Sequence, residues 1–299
     1  MPVDKSAQRV RRMFGEIAPR YDFLNHLLSL NIDRYWRWRT VRKAPLAGDG
    51  PVLDVCCGTG DLTLAYARSR HVAAALRDAN SSLGETRPRE SLGSPIIGGG
   101  VARPEHGCDG RGAHEHADGA SAKGFASCNV IGADFCHEML VRAAAKSQRA
   151  KAESAVAFIE ADALRLPFAD DTFQIVCVAF GLRNVSDTDG GLREMTRVCR
   201  PGGRVVVLEF SMPRWQPFRA IYGWYFRRVL PRIGQWFARN RYDAYTYLPT
   251  SVREFPEREA LCRKMTAAGL CDVAYHSLTF GVATLYIGHK PQRGSPSAS

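Results

Sequence analysis

The stretch Pro51-Val52-Leu53-Asp54-Val55-Cys56-Cys57-Gly58-Thr59-Gly60-Asp61-Leu62 ends an apolar run in an acid and then breaks into glycines. An apolar run bounded by glycine reads as a buried strand turning tightly into a helix. A backbone that turns so sharply and lets a ligand lie against it has no room for a Cβ, so a nucleotide-like ligand is expected at Gly58 to Gly60. The spacing narrows the choice. A dinucleotide fingerprint needs a third glycine where Thr63 stands, and a phosphate-cradling P-loop needs a lysine that does not follow Gly60. Two more acids fall where strands should end: Asp134, after Cys128-Asn129-Val130-Ile131-Gly132-Ala133, and Asp162, with Ala163, in a loop after 156–160. An acid in the first of these positions accepts ribose hydroxyls in nucleotide folds. The plainer account, that each is a cap or turn residue, does not suit all three places at once.

The elements that must position these residues predict an α/β fold, a mostly parallel sheet wound by helices on both faces. Strands alternate with helices, and ligands of such sheets sit at the carboxyl ends of strands. Residues 62–70 read as the first crossover helix. Strands are expected at 128–134, 156–160, 173–180 and 204–210, with helices over 138–149 and 188–199; a helix at 257–268 and strands at 272–279 and 283–289 close the chain. Between His71 and Phe125 periodicity is lost and ten glycines fall within 55 residues. So polar and glycine-rich a segment cannot bury enough apolar surface to offset its ordering entropy, so 71–125 is read as a disordered insertion. Asp134 lies 74 residues beyond Gly60, and 19 once the insertion is set aside, close to the spacing of a glycine turn and a ribose-binding acid. Cys108, His114 and His116 in the insertion lack a four-ligand spacing, and no metal is expected there.

Residues 4–44 read as mostly helical, with Phe23, Leu24, Leu27 and Leu28 at helical spacing and the arginines of Arg34-Tyr35-Trp36-Arg37-Trp38-Arg39 directed outward. This region is either a packing helix with a solvated basic face or a lid over the ligand. From Met212 to Arg241 aromatic and aliphatic residues, among them Trp215, Phe218, Trp224 and Trp236, interleave with arginines such as Arg219 and Arg228. Such a segment suits a membrane interface, a greasy substrate or single-stranded nucleic acid, or packs as a cap with a basic surface. The tail 291–299 is read as disordered. A net charge of +11 and a pI near 9.4 point to an anionic partner without choosing among these. Nine cysteines with no Cys-x-x-Cys pair fit a reduced, cytoplasmic protein, and no apolar stretch reaches the length of a spanning helix.

The pattern acid-x-x-x-Gly-x-Gly from Asp54 to Gly60 resembles the first motif of S-adenosylmethionine-dependent methyltransferases. Four other stretches are more specific: Tyr21-Asp22-x-Leu24-Asn25 with Trp36; Phe180-Gly181-Leu182-Arg183-Asn184-Val185; Arg197-Val198-x-Arg200-Pro201-Gly202-Gly203 leading to Leu208-Glu209-Phe210-Ser211; and Tyr247-Leu248-Pro249-x-Ser251-Val252. With these the chain from about Phe14 to Pro291, apart from the insertion, resembles the ubiquinone/menaquinone biosynthesis C-methyltransferase family. Leu24 stands where that family has Met, and Asp33 where it has His ahead of the tryptophan.

The resemblance implies a Rossmann-like class I S-adenosylmethionine-dependent methyltransferase: one domain over 1–299, a mostly parallel seven-stranded sheet with helices on both faces, an N-terminal helical lid over 1–45 and a substrate- or membrane-facing segment over 212–241. It implies C-methylation of a polyprenyl hydroquinone, demethylmenaquinol first and a 2-methoxy-6-polyprenyl-1,4-benzoquinol second. Carried over by position, Gly58, Thr59 and Gly60 meet the methionine part of the cofactor, Asp134 the ribose, Asp162 and Ala163 the adenine, and Ala179 lines the same site. The implied partners are the quinol, a peripheral contact with the inner face of a bacterial membrane and a second copy in a homodimer, without nucleic acid.

A sulfonium methyl is already activated, so aligning ring carbon, methyl and sulfur supplies much of the acceleration without a metal. The ring carbon becomes nucleophilic when its phenol loses a proton, which asks for a base or a nearby cation. Arg183 is read as the cation at that phenolate and Asn184 as its orienter; the alternative is that Arg183 pairs with a neighbouring acid. Asp22 and Glu209 are candidate bases. A nucleic-acid methyltransferase would share the fold and suit the charge, but an Asn-Pro-Pro-Tyr-type motif is missing after the fourth strand. A non-catalytic relative would lack Gly58, Gly60, Asp134 or Asp162, and all are present.

Overall fold

Side chains alternate along a strand, and here that alternation feeds two separate cores. In Val52–Val55 (β1), Val52 enters one core and Leu53 and Val55 the other. Ile175 and Cys177 are likewise parted from Val176 and Val178 in Phe173–Ala179 (β4), and Val206 and Leu208 from Val205 and Val207 in Cys199–Phe210 (β5). Covered on both faces, these strands read as unbroken apolar runs. The structure, a computed structural model, describes residues 7–22, 26, 29, 31–84, 128–224, 228 and 244–292.

Val130–Asp134 (β2) and Val156–Glu160 (β3) pair parallel on one side of β1, and β4 and β5 parallel on the other. Ala283–His289 (β7) lies antiparallel between β5 and Cys271–Leu278 (β6), giving seven strands in the order β3-β2-β1-β4-β5-β7-β6. The glycine turn, Asp134, the loop after β3 and the turn after β4 therefore share the carboxyl edge. Thr188–Val198 (α5) and Glu259–Ala267 (α8) cover one face through Leu192, Met195, Leu261 and Met265. Ile32–Lys43 (α2) and Asp61–Gly84 (α3) cover the other through Trp36, Val41, Leu62, Leu64 and Tyr66. His137–Arg149 (α4) packs on β3 and carries Ala7–Ile17 (α1); Gln216–Trp224 (α6) and Ala244–Glu254 (α7) precede α8.

The N-terminal region is part of the core. Trp36 lies 5.7 Å from Phe180 and 6.0 Å from Phe210 between ring centroids, and its Nε1–H donates to Thr279 Oγ1 at 2.8 Å. Arg34 is exposed as expected, but Arg37 turns inward, held by Asp33 and Asp61. The first crossover helix continues past Arg70 to Gly84, because the run after His71 is rich in alanine and its first glycine is Gly84. β5 starts at Cys199, so Pro201-Gly202-Gly203 lies within the strand rather than ahead of it, with Gly202 at φ +71°. Phe23, Leu24, Asn25, Leu27 and Leu28, the rest of the insertion with Cys108, His114 and His116, Trp236, and the tail from 293 lie outside the described residues.

Asp54, buried inside β1, accepts the Thr63 hydroxyl of α3 at 2.6 Å. Burial lifts its pKa to about 7, with the Thr63 hydrogen bonds and Arg37 pulling the other way. The folded carboxyl thus keeps a proton that the unfolded chain loses at lower pH. Its stabilisation is full below about pH 4, is lost as pH rises to about 7, and changes no further above that. Asp54→Asn should flatten this slope: wild-type unfolding free energy falls relative to the variant between pH 4 and 8, by an amount on the order of a few kcal/mol, as checked by denaturant titration across that range.

Candidate active site

The turn after β1 is built to bring backbone to the surface of the carboxyl edge. Cys56 and Gly60 take left-handed φ values of +52° and +79°, and the Gly60 N–H closes the turn on the Cys57 carbonyl at 2.9 Å. A Cβ at Gly60 would stand 3.1 Å from the Phe158 ring and 3.2 Å from Ala143, so side chain is excluded both by conformation and by space. Asp134 staples this turn to β2: its Oδ2 accepts the Gly58 N–H at 2.8 Å and its Oδ1 the Cys136 N–H at 2.9 Å. Burial raises the Asp134 pKa despite these N–H groups. Asp162 is exposed, with Oδ1 accepting the Leu164 N–H at 2.9 Å, beside buried Ala163. Burial pushes the Cys56 thiol far up, and the charges of Asp134, Asp54, Glu209 and Asp162 add to this, so the edge gathers the acids around Cys56. Ala179 ends β4, next to Phe180 at φ +58°.

Thr59 is buried and joins the N-terminal region to the turn. Its hydroxyl donates to Asp22 and accepts from Lys146 at 3.0 Å; Lys146 also pairs with Asp22 at 2.6 Å and Asp61 at 2.8 Å. Arg37 continues the chain, pairing with Asp61 at 3.4 Å and with Asp33, which accepts from Ser29 at 2.6 Å and meets His26 Nδ1 at 2.9 Å. Burial alone would raise the Asp61 pKa, but Arg37 and Lys146 hold it below the ordinary carboxylate value. His26, Asp33 and Asp61 have donor atoms spaced for a cation; Arg37 bridges the two carboxylates. Lys146 and Arg37 were missed from the sequence. Lys146 belongs to an ordinary amphipathic helix, and nothing local marks it.

Arg183 is buried at the turn Leu182–Asn184, its Nη1 3.0 Å from Glu209 Oε2 and donating also to the Phe180 carbonyl. The pairing alternative is thus realised, and Glu209 is its partner. Glu209 Oε1 accepts the Arg183 N–H and Oε2 the Phe210 N–H, each at 3.2 Å. The guanidinium lies 5.3 Å from the Phe210 ring centroid, and Asn184 Nδ2 faces the Phe180 carbonyl at 3.5 Å. The close approach that seats this turn is Gly181, where a Cβ would come within 2.5 Å of Cys56 Cβ. Of the two candidate bases, Glu209 is bound to Arg183 and Asp22 to Lys146.

Removing one member of a buried ion pair leaves a charge without compensation, which costs about 3–5 kcal/mol. Glu209→Ala should therefore lower unfolding free energy by about that amount, whereas Arg214→Ala, which breaks an exposed pair with Glu259, should leave it nearly unchanged. Urea titration of both variants checks the difference.

Some proteins share this architecture and others much of the sequence. The 4+2 cyclase SpnF superposes with a TM-score of 0.57 at 14% identity, covering 97% of each chain. A SAM-dependent methyltransferase of Thermotoga maritima gives 0.51 at 14% identity, covering 93% of this chain and 99% of that one. At such identities the likeness shows the fold alone, and a cyclase among them shows that the sheet does not choose the reaction. Sequence relatives are nearer. The ubiquinone/menaquinone biosynthesis C-methyltransferase UbiE of Geobacter sulfurreducens is 38% identical over 286 residues, 96% of this chain and 90% of that one. The demethylmenaquinone methyltransferase of Thermus thermophilus is 40% identical over 279 residues, 93% of this chain and all of that one. The model of the ubiE/COQ5 methyltransferase family matches residues 2–290, and the chain belongs to that family.

Proposed function

We propose that this chain transfers a methyl group from S-adenosylmethionine to a ring carbon of a polyprenyl hydroquinone, with demethylmenaquinol as the main acceptor. The observation that carries the reading is the match, over more than nine tenths of the chain, to relatives named for that chemistry. The residues at the carboxyl edge fit the cofactor. At Gly58, where φ is +55°, a Cβ would find only the Tyr21 ring within 4 Å, at 3.9 Å, so the turn is open there, and the Asp134 carboxylate, which takes the Gly58 and Cys136 N–H groups, keeps acceptor capacity for a ribose hydroxyl. Gly58 and Thr59 are assigned to the methionine part, and Asp162 and Ala163 to the adenine.

The cofactor supplies a methyl group already activated as a sulfonium. The chain's part is to align the ring carbon and keep water out. Arg183 is assigned to the charge that develops on the ring oxygen and Asn184 to its orientation. Glu209 acts as counter-charge to Arg183, since its oxygens are engaged by that side chain and by two backbone N–H groups. The ring carbon gains the methyl and loses its hydrogen as a proton, a balance that requires no metal. The Geobacter relative's name covers both quinone pathways, which keeps the methoxy-polyprenyl benzoquinol as the second acceptor.

Offered labelled S-adenosylmethionine with reduced demethylmenaquinone, the reduced methoxy-polyprenyl precursor and total RNA, the purified protein should label the first most rapidly, equally well in EDTA. Label in RNA alone would sink the reading.

We further assign a membrane-facing role to the region around α6. Trp215, Trp224 and Phe280 are 64%, 58% and 74% exposed, and Phe280 packs 5.3 Å from Phe218 of α6. Arg219 and Arg228 are exposed in the same region. No helix among the described residues is long and apolar enough to cross a membrane, so contact would be peripheral. The protein should co-sediment with vesicles containing phosphatidylglycerol, less so in high salt, and Trp224→Ala with Phe280→Ala should reduce the bound fraction severalfold; equal binding by the double variant would remove this region from the contact.

A further inference from the structure

Among the described residues, three buried polar atoms with no hydrogen-bond partner belong to one neighbourhood: Arg183 Nε, Asn184 Oδ1 and the Tyr247 hydroxyl. The turn after β4 carries the first two, and α7, which carries Tyr247, packs against that turn. Tyr247 is only 8% exposed, with its ring set among Met13, Ile17, Phe14 and Tyr21. Burial pushes its phenol up, Arg183 and Arg9 pull it down, and Glu209 and Glu254 push it up again. The net rise leaves the hydroxyl protonated at neutral pH. Asn184 Nδ2 faces the Phe180 carbonyl, which leaves Oδ1 as the unpaired acceptor.

An unpaired buried hydroxyl or amide oxygen costs the fold a desolvation penalty. These two oxygens and the unpaired Arg183 Nε in one place, at the end of the strand that the fold uses for ligands, mark where a polar ligand would complete the hydrogen bonding. The three offer a hydroxyl, an acceptor and a charged donor. That set matches a ring bearing oxygens, rather than an aliphatic tail.

We propose that Tyr247 and Asn184 together hold the oxygens of the quinol ring, the Tyr247 O–H donating to one ring oxygen and Asn184 Oδ1 accepting the O–H of a ring hydroxyl. This rests on the quinol reading above and adds a substrate contact contributed by α7. It also gives the site a preference for the reduced ring. A hydroquinone brings both donors and acceptors, whereas the oxidised quinone brings acceptors alone and would leave Asn184 Oδ1 unpaired, a mismatch that sites built for hydrogen bonding reject strongly.

The test uses the full chain, with reduced demethylmenaquinone as acceptor and S-adenosylhomocysteine as cofactor probe. Tyr247→Phe should lower kcat/KM at least tenfold, while the melting temperature stays level or rises and S-adenosylhomocysteine binding is unchanged, because only an unpaired hydroxyl is removed. Asn184→Leu should narrow the difference between reduced and oxidised menaquinone as inhibitors. Wild-type kcat/KM in Tyr247→Phe would overturn the assignment and leave the quinol reading standing. A fall in melting temperature or cofactor binding that parallels the activity would make Tyr247 part of the scaffold, again overturning it. A wild-type protein that binds S-adenosylhomocysteine yet methylates no quinol would remove both readings.

Discussion

Two backbone N–H groups, one from the glycine turn after β1 and one from the start of α4, end on the single buried carboxylate of Asp134. Much of the carboxyl edge depends on that arrangement. A carboxylate taken out of water needs hydrogen-bond donors, and here one of them is the backbone of the very turn that would face a ligand. The acid thus fixes the turn and remains available to a ribose hydroxyl through its second lone pairs. On the proposed reading, scaffold and ligand contact are one residue. With the turn fixed, Cys56 stands against Gly181, whose missing Cβ lets the turn after β4 approach and brings Arg183 to the same edge.

The N-terminal region is tied to that edge by charges that alternate in sign: Asp22, Lys146, Asp61, Arg37 and Asp33. Alternation matters because these groups are largely shielded from water, where an uncompensated charge costs several kcal/mol but a chain of partners leaves none alone. Thr59 joins the chain through both its donor and its acceptor capacity. Any ligand that engages Thr59 therefore acts also on Asp22 and Lys146, and through them on the segment leading to Trp36. Trp36 is held in turn by Phe180, Phe210 and Thr279, so the helix over 32–43 is anchored in the core even though its flank reaches the ligand edge.

Much of this was legible in the sequence because it is local. The apolar run of β1, its glycines and the acids at Asp134 and Asp162 announce a parallel sheet and its ligand edge, and the strands follow from short apolar runs alternating with helical periodicity. What was not legible depends on partners far apart in the chain. The sequence directs Arg37 outward with Arg34 and Arg39, but its inward turn is decided by Asp61, 24 residues on. The partner of Arg183 is not legible from the sequence because Glu209 lies on the next strand, 26 residues away. The sequence ends the crossover helix at Arg70 because the glycine-rich composition of the whole insertion masks an alanine-rich start that continues the helix to Gly84.

The Arg183–Glu209 pair bears on how such a site works. A lone guanidinium in a dry pocket would be costly to bury, and a solvated one would be weakened by water. Pairing one Nη1 edge with Glu209 and the Phe180 carbonyl lowers the cost of burial and pins the side chain, while Nε is left without a partner. The pair therefore gives up part of the cation's long-range field in exchange for a donor fixed in direction. In the role proposed for Arg183, with a methyl group that arrives already activated, direction is the scarcer quantity: a preorganised donor would cost no reorganisation as charge moves onto the ring oxygen, whereas a freely swinging arginine would have to be ordered at that moment. Phe180, held at a left-handed φ between Trp36, Phe210 and Arg183, fits the same account. Backbone strain of this kind persists only where the surroundings over-determine it, and here they do so at the residue whose carbonyl fixes the arginine.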